Sequence, residues 1–203
     1  SDHLASEFPG TVPVALWTSE PNVFIMKDHV IRKPSDLAGL KVRVAGATAA
    51  DVATALGATP VQMPINQVYN ALQTGLIDGV ITGSSTLNDF KLDEVANSYT
   101  FGANLGRLSF YAVMNKKKYD SLSAEHRAAL DNVRGMPLSK SAEDAWNETA
   151  IEGVAAARLL DDNTFVDLTE AEAAAFAAAI APVTGAYVDA VGGQAAQAAM
   201  QAK

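Results

Sequence analysis

Cysteine is absent from the 203-residue chain. That removes disulfide scaffolds, cysteine zinc sites and thiol nucleophiles together. Histidine occurs only at His3, His29 and His126, and imidazoles so scattered read as surface residues, not as a ligand set or a base. Positive charge is scarce: 15 Lys and Arg stand against 23 Asp and Glu, a net charge of −8. A nucleic-acid binder needs a basic stripe. Lys116-Lys117-Lys118 is the only basic cluster, so no nucleic-acid partner is expected. There is no glycine-rich phosphate loop and no His-Glu-x-x-His pair, nor a Gly-x-Ser-x-Gly elbow. No cofactor, metal or catalytic residue is therefore predicted. The carboxylates fall mostly on helix faces and in first turns, where they serve solubility and the helix dipole. No apolar run reaches the roughly 18 residues of a membrane span. The alanine-rich stretch 170–190 comes nearest, and its acids and Pro182 predict a water-exposed helix with a break. No signal peptide precedes Ser1, as expected of a mature or trimmed chain.

What is present is core-forming material. Hydrophobic residues make up 49% and charged residues 19%, a balance that favours a packed core over disorder. Two regimes follow one another. From Val12 to Val113 short apolar runs alternate with helical patterns. Strands are predicted at 12–17, 23–26, 40–44, 60–63, 76–81 and 107–114. Between them fall a glycine-closed turn at 34–39, a helix from Thr48 to Leu56 with Thr48 and Asp51 as a capping box, a helix capped by Asn66, and a helix from Ser84 to Val95. From Ser121 onward the pattern is helical nearly throughout. Ser123 opens one helix, 137–160 forms a long one, and Thr169 with Glu172 caps a last one that Gly192-Gly193 breaks. Strand–helix alternation predicts an α/β fold with a mostly parallel sheet covered by helices.

Ligands of such sheets sit beyond the C-terminal strand ends, near helix N-termini. Arg43 lies near one such end. Its guanidinium can grip a carboxylate with two parallel hydrogen bonds, or pair with a local acid at the sheet edge. Thr82, Gly83, Ser84 and Ser85 follow another strand. They can cradle an anion with backbone N–H groups and hydroxyls, or serve as an ordinary helix cap. Met63, Ile65 and Asn66 form the mouth of a third strand–helix junction. Trp17 and Trp146 read as packing residues, with a binding-face role as the alternative.

Four ordered runs carry a family resemblance: LAGLKVRV at 37–44, LGATPVQMP at 56–64, VYNALQTGLIDG at 68–79, and VMNK at 113–116 followed by YDSL at 119–122. Together they resemble TRAP-transporter solute receptors of the dicarboxylate-receptor (DctP) type over about 7–193, nearly the whole chain. The resemblance implies a type II-like periplasmic binding fold of two lobes that close on a small organic acid, with a long helix bracing both. It also implies a membrane permease as partner, a periplasmic location and no enzyme activity. It assigns Arg43 to the ligand carboxylate. It places Thr82 or Gly83, with Ser84, at the cleft where some members carry an asparagine. Ile65 stands where an aromatic often packs on the ligand, so that ring is expected to be lost. Asn22 stands near the place of a second arginine found in some members. An enzyme or a sensor module on a similar scaffold is the alternative reading.

Members of this type carry roughly a hundred more residues ahead of the matched region, forming most of the first lobe. The chain therefore reads as a truncated receptor. On the family layout, 22–108 and 149–203 form the ligand-binding second lobe with the C-terminal helices. The segments 1–21 and 109–148 form crossings and the remnant of the first lobe. Apolar surface left bare by the missing part predicts a homodimer through exposed or swapped elements.

Overall fold

The computed structural model describes residues 7–191. After Glu7, which is helical, the described residues form β1 (Thr11–Thr18) and then cross to β2 (Asn22–Met26). The β2 sequence NVFIM is apolar on both faces and buried at every position, the pattern of a strand covered from two sides. After a 3-10 turn at Pro34–Leu37, β3 (Lys41–Val44) leads through Gly46 into α1 (Ala47–Ala55). The strand β4 (Thr59–Gln62) is followed by a 3-10 turn at Ile65–Gln67 and α2 (Val68–Gln73). Then come β5 (Gly79–Gly83), the single turn α3 (Thr86–Asp89) and β6 (Ser98–Phe101).

The chain returns through β7 (Ser109–Asn115) and the short α4 (Lys116–Asp120) to α5 (Ala124–Val133). The 22-residue α6 (Met136–Ala157), β8 (Thr164–Asp167) and α7 (Glu170–Val191) follow, to the end of the described residues.

Six strands form one sheet in the order β4-β3-β5-β2-β6-β8. The β3–β4, β3–β5 and β6–β8 pairs are parallel. The β2 strand is antiparallel to both β5 and β6, so the sheet is mixed where alternation alone predicts mostly parallel pairing. One core packs on each face. Phe24, Val42, Val44, Ile81 and Phe176 belong to one; Ile25, Val80, Leu72, Leu87 and Tyr99 belong to the other. Apart from this sheet, β1 and β7 form a two-stranded antiparallel ribbon.

A latch of backbone groups joins ribbon to sheet. Ser19 and Leu108 exchange hydrogen bonds, Asn22 N–H donates to the Gly106 carbonyl, and Arg107 donates to the Ser19 carbonyl. The helix α6 spans the same junction. Near its start the Ser139 hydroxyl accepts from Leu16 N–H. Farther along, Gly153 lies against the Ser84 carbonyl, where an added Cβ would sit 3.4 Å away.

Several boundaries differ from the sequence expectation. The helix α1 begins after Gly46 at φ 88°, without a side-chain cap, so Thr48 and Asp51 lie inside it and form no capping box. Asn66 sits within the 3-10 turn and does not cap α2. The helix predicted over 84–95 is split into α3 and a 3-10 turn at Leu92–Glu94, because Lys91 adopts a left-handed φ of 54°. The strand expected within 76–81, with Asp78-Gly79 as its turn entry, starts at Gly79 and runs two residues farther, to Gly83. The strands β6 and β8 carry no prediction at all; β8 interrupts the region read as helical throughout, and at four residues it is too short to show a period. The helix α7 runs unbroken through Pro182. Its most apolar 18-residue window has a mean hydropathy of 1.5, so by length and composition it is long and apolar enough to cross a membrane, which residue counting along the sequence excludes. Phe176, fully buried against Phe24 at 5.6 Å, anchors it to the sheet. Gly192-Gly193 lies outside the described residues. The caps at Ser123 and Thr169 form as predicted: Ser123 Oγ accepts from His126 N–H, and Thr169 and Glu172 bond reciprocally.

Candidate functional site

The β3 sequence alternates so that Val42 and Val44 enter one core and Arg43 faces the other side of the sheet. Arg43 is only 5% exposed. Its Nε donates to the Met63 carbonyl at 2.9 Å. Among the described residues no ion pair includes it. Burial pulls the guanidinium below its ordinary pKa, yet an arginine stays cationic at neutral pH. Its two fork nitrogens have no partner among the described residues and are not closed off, so an anion can join them.

Arg43 opens on a cavity of about 330 Å³. The sheet side contributes Ala45 and Ile65 beside Arg43, and Thr82, Gly83, Ser85 and Thr86 from β5 and its exit. The opposite wall is Leu108, Phe110 and Trp146, with Ser19 at the latch and Phe90 at one side. Phe110 and Trp146 are packed with ring centroids 4.4 Å apart, and Trp17 stacks behind Phe110 at 5.7 Å. The indole N–H groups of Trp17 and Trp146 are buried without an acceptor. Two of the hydroxyls here are spent on the backbone: Thr86 donates to the Gly83 carbonyl and Ser19 to the Glu20 carbonyl.

The predicted residues divide. Arg43, Ile65, Thr82 and Gly83 share this cavity. Met63 contributes its carbonyl as the brace for Arg43. Asn22 and Ser84 line a separate cavity of about 770 Å³ beside Glu20, Asn104, Asn147 and Arg158. Asn66 is exposed and lines neither.

The anion cradle predicted at 82–85 is already occupied by the protein itself. The buried Glu20 carboxylate accepts from Ser85 N–H at 2.5 Å and presses against Gly83, where a Cβ would collide with it. The other Glu20 oxygen and Asn22 Oδ1 are buried without partners.

The expected loss of an aromatic at Ile65 is offset by rings from elsewhere. Phe90, Phe110 and Trp146 supply them. Phe110 and Trp146 come from β7 and α6, more than sixty residues along the chain from Arg43. In sequence they carry only the signal of being large and apolar, which predicts packing.

A family profile described as "Bacterial extracellular solute-binding protein, family 7" (DctP) matches residues 5–189. The chain belongs to this family. DctP-family members are solute-binding proteins of transport, not enzymes. This DctP-family chain is 28% identical over 191 residues to the C4-dicarboxylate-binding periplasmic protein DctP of Rhodobacter capsulatus, covering 93% of this chain and 56% of the relative. A TRAP solute-binding protein from Rhodoferax ferrireducens, solved with copurified benzoate, superposes with a TM-score of 0.83 at 30% identity, over 88% of this chain and 56% of that one. A TRAP periplasmic solute-binding protein from Bordetella bronchiseptica, solved with (R)- and (S)-mandelate, gives a TM-score of 0.84 at 27% identity, over 96% and 60%. The α/β architecture is thus that of a part of the two-lobed periplasmic binding fold. The chain spans about half the length of the curated relatives it matches.

Proposed function

We propose that this chain is the ligand-gripping part of a periplasmic receptor that delivers a small organic acid to a TRAP membrane permease. The observation that carries the reading is the buried Arg43, whose fork faces a cavity and meets no internal acid. The neighbouring structures support it: those proteins hold benzoate, mandelate or glucuronate, each a carboxylate. The relatives named periplasmic support the location. Closure on an anion requires that the closed state bind it better, and a guanidinium fork facing the cavity supplies that difference.

Calorimetry with a panel of organic acids tests the role of Arg43. Each charge-assisted hydrogen bond contributes about 1.5–3 kcal/mol. Losing two in Arg43→Ala should weaken binding roughly 100-fold or more. Unchanged affinity would remove Arg43 from the site.

The lobe division 22–108 plus 149–203 against 1–21 plus 109–148 belongs to the same proposal. It is supported by the latch at Ser19–Asn22 and Gly106–Leu108, where the chain passes between ribbon and sheet. Self-association is its second part. Leu16 and Tyr111 on the ribbon are 47% and 52% exposed, and the outer edge of β7 lacks a strand neighbour in the described residues, whereas that of β1 is bonded by Gly135 and Ser139. Such an open edge invites pairing with a second copy. Light scattering on a size-exclusion column should show dimer growing with concentration; a monomer at every concentration refutes it.

A further inference from the structure

We infer that the Arg43 cavity takes a planar aromatic monocarboxylate, with Phe110 and Trp146 as its specificity wall. This rests on the carboxylate-receptor reading and narrows it.

Charge sets the first limit. Among the described residues, Arg43 is the only cationic one lining the cavity. A second carboxylate on the ligand would lie in the same cavity with no second cation among the described residues to meet it, and an unpaired buried charge is strongly disfavoured. That weighs against a dicarboxylate. Polar capacity sets the second limit. The Thr86 and Ser19 hydroxyls are committed to backbone carbonyls, and Ser85 N–H is held by Glu20, which leaves the Thr82 and Ser85 hydroxyls and the Trp146 indole N–H for a ligand's polar groups. A sugar acid brings several hydroxyls, and each one buried without a partner costs affinity. Shape sets the third. The volume of about 330 Å³ lies at the low end of ligand pockets, about 300–1,000 Å³, enough for one ring and its carboxylate.

The walls then choose among monocarboxylates. Phe110 and Trp146 meet at 4.4 Å with a 32° tilt, and Trp17 fixes Phe110 from behind. Phe90 and Ile65 close the sides. Rigid rings already packed against one another lose little freedom on binding, and a ligand ring adds offset-stacked or edge-to-face contacts that an aliphatic chain cannot. The carboxylate comes from the sheet side to Arg43; the ring rests on residues of β7 and α6. Specificity and charge recognition are thus supplied by different parts of the molecule.

The test is ligand-observed saturation-transfer NMR on this chain with benzoate, cyclohexanecarboxylate, succinate and glucuronate. Benzoate should bind at least about tenfold more tightly than succinate or glucuronate, with cyclohexanecarboxylate between. Trp146→Leu should cost benzoate about two- to tenfold and narrow its lead over cyclohexanecarboxylate. In the unmodified protein, benzoate should shift the indole N–H resonance of Trp146, identified by its survival in Trp17→Phe, and succinate should not. That measurement stands even where Trp146→Leu fails to fold. Succinate or glucuronate binding as tightly as benzoate overturns the aromatic assignment alone. So does a Trp146 resonance that ignores benzoate while benzoate binds. Absence of binding by all four acids overturns the receptor reading together with it.

Discussion

The six-stranded sheet and the two-stranded ribbon are built from similar residues and end in different states. In β2 and β5 every position is buried. In β1 only one of eight positions is buried, and in β7 none. The sheet strands have helices on both faces; the ribbon has α6 and little else. A strand is stabilised by the neighbours that cover it more than by its own propensity. The sheet is therefore a self-sufficient core, and the ribbon is an arm held by a latch and one helix. The Arg43 cavity lies on the seam between them, with Arg43 and Phe90 from the sheet side, Phe110 from the ribbon and Trp146 from α6.

Truncations on the two sides should break or sharpen this contrast. Phe24 is fully buried and packs on Phe176, so Phe24→Ala should lower stability by about 3–5 kcal/mol in urea denaturation. A loss under 1 kcal/mol would mean the sheet core is far looser than its burial indicates. At the seam, Gly83→Ala forces the Glu20 carboxylate away and strips Ser85 N–H of its acceptor. A buried donor left unpaired costs about 1–3 kcal/mol, and the same denaturation series reads it. On the ribbon, Leu16 is nearly half exposed, so Leu16→Ala should change stability by no more than about 0.5 kcal/mol. A large loss there would show that the ribbon is buried in solution, as in a dimer.

Much of the sheet region is legible one residue at a time. LKVRV alternates, its glycine exits are visible, and the capping residues Ser123 and Thr169 stand ahead of their helices. The strands β6 and β8 are not legible. SYTF and TFVD are four-residue pieces without a period; they become strands because β2 and β6 offer them an edge. The site is legible in the same proportion. Arg43 can be named from the end of its strand and from the family run around it. The cradle at Ser84-Ser85 is misjudged because its occupant, Glu20, lies sixty-five residues away from Ser85. Asn22 and Ser84 belong to a different cavity for a similar reason: the β2–β5 pairing, not their position in the chain, decides which way they open.

The sequence by itself determined the alternating segments, the absence of cysteine and phosphate-loop chemistry, the family, and the strand-end position of Arg43. Those properties are local, carried by spacing and residue type. Only the tertiary structure decided that the sheet is mixed, that Glu20 takes the Ser85 N–H, and that Phe110 and Trp146 line the same cavity as Arg43. Each of these depends on contacts between residues far apart in the chain, and no local pattern encodes which distant side chain arrives.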